Sequence, residues 1–178
     1  MYSPENLLLA QNIRVIFLDV DGVFTDGRLL YSEKNESLKQ FNVLDGQGIK
    51  LIQKIGIVPV IISGRVGEHV KNRLVDLGVK HIYLGAERKV SVAEKILQEL
   101  QLNWTQAACM GDDWPDLQMI VKAAFSCAPQ NGHREVLSRV DYVTLKKGGE
   151  GALREFCDLL LTAKGKYLDL LNEALNES

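Results

Sequence analysis

The sequence predicts a doubly wound α/β domain with a mostly parallel sheet. Short apolar runs alternate along the chain with segments of helical spacing, and strands joined through helices pair in parallel by right-handed crossovers. The chain has 178 residues, of which 46% are hydrophobic and 25% charged, a globular composition of single-domain size. No repeat, low-complexity tract or linker divides it, so residues 1–178 are predicted to form one domain.

Apolar runs of strand length recur along the chain. The first run, at residues 15–18, is apolar throughout and is therefore predicted to be buried on both faces of the sheet. The predicted strands are 15–18, 59–62, 82–84, 107–110, 125–128 and 142–144. The predicted helices between them are 48–55, 67–77, 89–102, 115–122 and 131–137.

Two segments depart from this alternation. Residues 27–43 carry apolar runs on either side of the polar stretch 33–36, a pattern typical of a β-hairpin that projects after the first strand. Residues 151–175 place large apolar side chains near helical spacing, which predicts one or two closing helices and a C-terminal helical tail over about 164–178. Gly148 and Gly149, just before them, would form either a flexible turn or a hinge for a closing tail.

Charge and hydropathy exclude several classes of partner. A net charge of −2 gives no reason to expect nucleic acid or a membrane surface as a partner. The apolar stretches are too short to span a membrane, and the N-terminus lacks the basic start of a signal peptide. A cytoplasmic location is therefore expected.

The cysteines and histidines do not group into a metal-binding pattern. The three cysteines are widely spaced in apolar surroundings, which predicts reduced thiols in the core and argues against zinc and disulfides. They are Cys109, Cys127 and Cys157. Surface or structural roles are favoured for the three scattered histidines, which are His69, His81 and His133.

Asp19 and Asp21 follow the first predicted strand directly, at its carboxyl end, where open α/β sheets build their sites. Two carboxylates a few ångströms apart repel by about 1 kcal/mol in water and about 4 kcal/mol at an effective dielectric constant near 20. The pair therefore needs a cation or a shared proton, and ligands that are all oxygen suit Mg²⁺. The alternative is a solvated Asp-x-Asp-Gly turn, which this pair alone does not exclude.

Other predicted strands also end in polar residues. Ser63 and Gly64 directly follow the second predicted strand of the sheet, where a hydroxyl and the N–H groups of a helix start would bind phosphate. An ordinary helix N-cap is the alternative for Ser63. Lys89 opens a predicted helix and would neutralise a phosphate and nearby carboxylates, although the adjacent Arg88 competes for that role.

A second acidic cluster follows the predicted strand 107–110. It contains Asp112, Asp113 and Asp116 within the stretch 111–116. Asp112 is well placed to complete a metal site, while Asp113 or Asp116 would either cap the next helix or support the metal ligands.

The order of these residues resembles that of the haloacid dehalogenase superfamily of phosphohydrolases, over nearly the whole chain. The resemblance implies a Rossmann-like fold, Mg²⁺ as cofactor and an aspartyl-phosphate intermediate. It implies Asp19 as the nucleophile and Asp21 as the general acid and then the general base. The implied phosphate-binding residues are Ser63, Gly64 and Lys89. The implied metal ligands are Asp19, Asp21 through its backbone carbonyl, and Asp112.

The segments between these motifs are too short for a cap domain, so a neighbouring subunit is the simplest way to close the site. Finer motifs are similar to the capless branch of 3-deoxy-D-manno-octulosonate 8-phosphate phosphatases. They lie at 19–23, 25–27, 41–43, 45–46, 63–65, 111–113 and 147–155. That resemblance implies a sugar-acid phosphatase of lipopolysaccharide precursor synthesis, assembled as a homotetramer through the hairpin. It also implies a C-terminal tail able to reach a neighbour's site.

The substrate and the class of protein each have an alternative. Arg65 is predicted to bind the carboxylate of the sugar acid bidentately, although a surface arginine at a helix start would look the same in sequence. A nine-carbon sialic-type sugar-acid 9-phosphate is the alternative substrate. The alternative class is a phospho-accepting receiver domain, but such domains normally have adjacent acids on the first strand. The i, i+2 spacing of Asp19 and Asp21 favours the enzyme.

Overall fold

A parallel sheet forms the centre of the protein in the computed structural model, which describes residues 2–31 and 37–176. The strands of the described residues are β1 (Val15–Leu18), β2 (Leu30–Tyr31), β3 (Ser37–Leu38), β4 (Val58–Ser63), β5 (His81–Leu84), β6 (Ala107–Met110), β7 (Phe125–Ala128) and β8 (Tyr142–Val143). β2 and β3 pair as an antiparallel hairpin. The other six form one sheet in the order β5-β4-β1-β6-β7-β8, with parallel pairing throughout.

Helices cover both faces of this sheet. In chain order they are α1 (Pro4–Ala10), α2 (Val43–Lys54), α3 (Glu68–Asp76), α4 (Lys89–Glu99), α5 (Leu117–Ile120), α6 (Arg134–Leu137), α7 (Ala152–Ala163) and α8 (Tyr167–Asn176). Alternate residues of β1 point to opposite layers, with Ile16 and Leu18 packed beneath α2 and α7 and Val15 and Phe17 beneath α4 and α5. The predicted doubly wound α/β fold is therefore confirmed, and each predicted strand lies within one residue of its predicted ends.

The start of α2 was predicted wrongly. The prediction placed residue 43 in the hairpin and began the helix at residue 48, but the helix begins at Val43. Asn42 caps it, because its side-chain oxygen accepts a hydrogen bond from the Leu44 N–H at 2.8 Å. Gly46 and Gly48 permit close helix packing: a Cβ on Gly46 would lie 2.6 Å from Arg73, and one on Gly48 would lie 3.1 Å from Cys157.

Smaller differences occur at other helix ends. The predicted helix 115–122 is a 3₁₀ turn, Trp114–Asp116, followed by α5, and the predicted helix 131–137 begins only at Arg134 because His133 caps it. The predicted helix 89–102 ends at Glu99, two residues before Gln101, which has a φ of 55°. α1 was not predicted from the sequence, and Ser3 caps it through a hydrogen bond from the Asn6 N–H.

The hairpin and the closing segment are both found. The hairpin ladder is shorter than the predicted segment 27–43, and the predicted polar stretch 33–36 lies outside the described residues. The closing segment forms two helices, α7 and α8, separated at Gly165, whose φ is +65°. Tyr167 and Leu170 of α8 pack against this chain's own core, and no cap domain interrupts the described residues.

The predicted roles of the cysteines are confirmed. All three are free and buried, and burial raises the pKa of each thiol well above its usual value. None of the histidines of the described residues joins a cluster that could hold a metal. No helix in the part of the chain that is described is long and apolar enough to cross a membrane.

Asp45, on α2, caps the first turn of α7 from outside that helix. Its Oδ1 accepts a hydrogen bond from the Arg154 N–H at 2.8 Å, whereas its buried Oδ2 has no hydrogen-bond partner. Burial raises the pKa of Asp45 from 3.8 to about 6, and the hydrogen bond from Arg154 opposes that rise only in part. Folding therefore favours the protonated form of this side chain relative to the unfolded chain.

We expect Asp45 to make folding less favourable as the pH rises. A carboxyl whose pKa is raised on folding contributes stability at low pH, and that contribution is lost as the pH rises through about 6. The free energy of unfolding of the wild type, measured relative to Asp45→Asn, should fall by about 2 kcal/mol between pH 4.5 and 7.5. Urea denaturation at both pH values measures this difference, with Asp76→Asn as an exposed control. A difference that does not change with pH would contradict the assignment.

Candidate active site

The carboxyl ends of three adjacent strands bring the predicted site residues together. β1 lies between β4 and β6, so Asp19 and Asp21 meet Ser63 on one side and Asp112 on the other. These residues line a cleft of about 450 Å³. The cleft is also lined by Gly27, Leu29, Gly64, Arg65, Ala86, Glu87, Lys89, Asp113, Pro115 and Asp116. The cleft therefore contains all of the predicted catalytic, phosphate-binding, substrate-binding and metal-binding residues.

Lys89 is the buried cation of this cleft. It is only 6% exposed, and its Nζ lies 2.7 Å from Asp19 Oδ1 and 2.8 Å from Asp116 Oδ1. The pKa of Lys89 is raised, because the charges of Asp116 and Asp19 outweigh the opposing effect of burial. The adjacent Arg88 is exposed, so the structure selects Lys89 over Arg88 as the cation that faces the carboxylates.

Three carboxylates surround one point in the cleft. Asp19, Asp112 and Asp116 each offer one oxygen, and these oxygens lie within 4.8 Å of one another. Asp116 is 1% exposed, and its Oδ2 accepts hydrogen bonds from the Asp112 N–H at 3.2 Å and the Asp113 N–H at 3.5 Å. Asp113 itself is exposed. Asp116 is thus a central member of the cluster that also orders the loop carrying Asp112.

This cluster carries more negative charge than Lys89 neutralises. Burial, with the nearby charge of Asp116, raises the pKa of Asp19 to about 6 although Lys89 opposes the rise. Burial and the charges of Asp19, Asp116 and Asp113 raise the pKa of Asp112 to about 7. A divalent cation would relieve this repulsion, and the donor atoms are all oxygen, as Mg²⁺ prefers.

Asp21 sits nearer to the mouth of the cleft and is paired with cations. Its Oδ1 forms an ion pair with Lys39 Nζ, and its Oδ2 lies 3.6 Å from Arg65 Nε. The side chain of Lys39 is 4% exposed, whereas that of Arg65 is 58% exposed. Sequence reasoning missed Lys39, although strand alternation after the exposed Leu38 would have turned its side chain inward.

Ser63 does not act as a helix N-cap. α3 begins only at Glu68 and is preceded by Gly67, so Ser63 is the last residue of β4 and Gly64 lies in the turn before the helix. This corrects the expectation that a helix N-terminus forms the phosphate cradle. Ser63 is buried, and its Oγ accepts a hydrogen bond from the Arg65 N–H at 3.2 Å. The end of β4 presents the hydroxyl to the cleft.

Gly148 and Gly149 are packed against the loop that follows Asp21. The Gly149 N–H donates to the Val23 carbonyl at 3.1 Å, and the Gly148 N–H donates to Asn131 Oδ1 at 2.9 Å. A Cβ on Gly148 would lie 1.7 Å from the Gly22 carbonyl oxygen. The glycine pair therefore supports the active-site loop through a close backbone approach that a larger residue would block.

The fold and the site together define a capless phosphohydrolase of the haloacid dehalogenase type. The sequence model of haloacid dehalogenase-like hydrolases matches residues 85–156. The chain is 40% identical to the 3-deoxy-D-manno-octulosonate 8-phosphate phosphatases of Salmonella typhimurium and Escherichia coli K12, with 99% of this chain and 92% of each relative covered. The chain belongs to this phosphatase family.

Solved structures agree with this assignment. A probable YrbI family phosphatase from Pseudomonas syringae is 40% identical and superposes with a TM-score of 0.97, covering 99% of this chain and all of that one. The phosphatase of Moraxella catarrhalis, in complex with magnesium, phosphate and 3-deoxy-D-manno-octulosonate, is 32% identical with a TM-score of 0.94. That match covers 97% of this chain and 99% of the Moraxella chain.

Gly22 provides a test of the geometry around Asp112. A Cβ on Gly22 would lie 2.1 Å from Asp112 Oδ2, and its φ is +89°. Gly56 is a matched control, because its φ is +80° but a Cβ there would meet nothing within 4 Å. Gly22→Ala is expected to lower kcat/KM by on the order of 10- to 100-fold by displacing Asp112.

Gly56→Ala should cost about 1 kcal/mol of stability and leave the kinetics unchanged. Phosphatase assays and thermal unfolding of both variants measure the two effects. Equal kinetic behaviour of the two variants would contradict a direct collision with Asp112.

Proposed function

We propose that this protein hydrolyses 3-deoxy-D-manno-octulosonate 8-phosphate to the free sugar acid and phosphate, using Mg²⁺ and an aspartyl-phosphate intermediate. One observation carries the proposal. The buried Asp19 carboxylate, 2.7 Å from Lys89, lies among acids at the strand ends of a chain that is 40% identical over 99% of its length to phosphatases of this substrate. The reaction would belong to lipopolysaccharide precursor synthesis in the cytoplasm.

The residues of the cluster fit a magnesium ion. Asp19 and Asp112 would hold it through their carboxylates, and the Asp21 backbone carbonyl would add a third protein ligand. Asp116 already accepts two backbone hydrogen bonds and contacts Lys89, so it would support the ligands. Bound there, Mg²⁺ would neutralise negative charge on the phosphate oxygens.

The first half of the reaction transfers the phosphoryl group to Asp19. Ser63 Oγ and Lys89 Nζ would bind the phosphate oxygens, and Lys89 also fixes the position of the Asp19 carboxylate. Asp19 Oδ would attack phosphorus in line while the bond from phosphorus to the sugar oxygen breaks. Asp21 would donate its proton to that oxygen, so that the sugar acid leaves as an alcohol.

The second half of the reaction hydrolyses the aspartyl-phosphate intermediate. Asp21, now ionised, would accept a proton from a water molecule that attacks phosphorus. The bond between phosphorus and the Asp19 oxygen then breaks, which releases phosphate and restores the Asp19 carboxylate. Uncatalysed hydrolysis of a phosphate monoester is among the slowest biological reactions, so large contributions from positioning and charge neutralisation are required.

Arg65 would select a substrate that carries a carboxylate. Its side chain is 58% exposed at the mouth of the cleft, and its Nε faces Asp21. A guanidinium in this position would bind a carboxylate with two parallel hydrogen bonds. Arg65→Gln is therefore part of the functional test, because it should impair the sugar-acid substrate and spare an ester without a carboxylate.

The experiment compares kcat/KM with Mg²⁺ for the eight-carbon sugar-acid 8-phosphate, a nine-carbon sialic-type 9-phosphate and a simple alkyl phosphate. The proposal requires the eight-carbon substrate to be preferred, with most of the preference lost in Arg65→Gln. Preference for the nine-carbon ester would identify that ester as the substrate and would leave the proposed mechanism unchanged. Preference for the simple ester would overturn the substrate assignment.

We also propose that the chain assembles into a homotetramer through its hairpin. Large apolar side chains of the hairpin and of the first turn of α2 are exposed, which supports a contact with other copies of the chain. They are Leu30, Tyr31, Leu38, Val43 and Leu44. Light scattering after size exclusion would measure the subunit number, and a monomer at micromolar concentration would overturn the proposal.

A further inference from the structure

Lys39 is buried at the active site although it lies on the hairpin and not on the sheet. It follows β3 directly, and its neighbour Leu38 is 66% exposed, so the two side chains face opposite directions. The Lys39 side chain is 4% exposed, and its Nζ pairs with Asp21 Oδ1. A lysine is almost never buried without a charged partner, because an ammonium group loses its hydration there.

The pairing restricts the Asp21 side chain. The loop after Asp21 turns through Gly22, with a φ of +89°, and the Asp21 side chain remains 20% exposed. Arg65 makes the weaker contact with Asp21, because its side chain is 58% exposed and its Nε is 3.6 Å from Asp21 Oδ2. Lys39 is therefore the buried contact that sets the direction of the Asp21 carboxylate within the described residues.

We propose that Lys39 is a positioning residue that holds the Asp21 carboxylate toward the leaving-group oxygen, and so makes catalysis depend on the placement of the hairpin. The inference rests on the proposed function, in which Asp21 donates a proton to the leaving sugar oxygen. Lys39 itself needs no contact with the substrate. Loss of Lys39 should therefore lower the rate of the chemical step. The decrease should be larger for a leaving group that needs a proton from Asp21.

Substrates with different leaving groups distinguish a positioning role of Lys39 from a merely structural one. A sugar alkoxide is a poor leaving group and needs the proton from Asp21, whereas p-nitrophenolate leaves without one. If Lys39 only stabilised the fold, its loss would slow both substrates equally. If it positions Asp21, its loss should slow release of the alcohol far more than release of p-nitrophenolate in the first turnover.

The experiment measures first-turnover rates by rapid quench with Mg²⁺ for Lys39→Met, Lys39→Gln, Lys39→Arg and the control Lys50→Met, an exposed lysine on α2. We expect Lys39→Met and Lys39→Gln to slow alcohol release from the sugar-acid phosphate by about 10- to 100-fold and p-nitrophenolate release by less than about 3-fold. KM should change little, Lys39→Arg should recover part of the rate, and Lys50→Met should match the wild type.

Equal losses with the two substrates, or no loss with either, would overturn the inference. Circular dichroism and thermal unfolding show which variants fold, and the Gln and Arg variants keep the test valid if the Met variant does not. A wild type that hydrolyses neither substrate would instead refute the proposed function. The two failures are therefore distinguishable.

Discussion

Asp19→Asn should abolish turnover, with kcat lower by at least about 10⁴-fold on the sugar-acid phosphate. The amide keeps the shape of the side chain but cannot attack phosphorus as an anion. Asp19 is also the carboxylate that Lys89 holds at 2.7 Å, so the variant removes the group around which the site is arranged. Steady-state release of phosphate with saturating Mg²⁺ measures the effect.

The melting temperature distinguishes a loss of activity in Asp19→Asn from misfolding of the variant. Burial raises the pKa of Asp19 to about 6, which means that the metal-free protein disfavours its anionic form. Asp19→Asn should therefore not lower the melting temperature of the metal-free protein. Asp76→Asn, an exposed acid on α3, is the matched control and should keep full activity. Substantial phosphatase activity in Asp19→Asn would contradict the role of nucleophile.

Removal of Mg²⁺ has the second largest expected effect. Chelation should reduce activity to background, and added Mg²⁺ should restore it, because without the ion the phosphate would meet a cluster of three carboxylates whose charge Lys89 offsets only in part. Asp112→Asn should weaken Mg²⁺ binding by on the order of 10- to 100-fold, since it removes one charged ligand. Calorimetric titration and the Mg²⁺-dependent rise in melting temperature measure the affinity.

The affinity for Mg²⁺ should also depend on pH. The pKa values of Asp19 and Asp112 are raised to about 6 and about 7, so protons compete with the metal below neutral pH. Apparent affinity should therefore be higher at pH 8 than at pH 6 in the wild type. Asp76→Asn should bind Mg²⁺ as the wild type does. An enzyme that keeps its activity after exhaustive chelation, or an Asp112→Asn variant with unchanged affinity, would contradict the metal site.

The fold could be predicted from the sequence because its signals are local. Each strand of the central sheet is a short apolar run with a turn signal after it, and the run at β1 is buried throughout. Parallel strands place their carboxyl ends at one edge, so the convergence of Asp19, Ser63 and Asp112 follows from strand order. Lys89 could be suggested in the same way, but only its contacts with Asp19 and Asp116 separated it from Arg88.

Features that depend on packing between elements could not be predicted. Gly46 and Gly48 weaken the helical signal at the start of α2, yet they are there because α3 and α7 pack closely against that helix. Strand alternation could have indicated the inward direction of Lys39, but its pairing with Asp21 is a contact between the hairpin and the end of β1, which no local pattern specifies. Asp116 was considered for a supporting role, and its central place in the cluster depends on Gly111, where a Cβ would lie 2.4 Å from it.

The stereochemical course at phosphorus shows whether the phosphoryl group is transferred through Asp19. A phosphorothioate analogue of the substrate, made chiral with oxygen isotopes, would be hydrolysed by the wild type with Mg²⁺ in isotopically labelled water. Two successive in-line displacements, first by Asp19 and then by water, invert phosphorus twice. Net retention of configuration is therefore expected, and net inversion would contradict the aspartyl-phosphate intermediate because water would then have attacked the substrate directly.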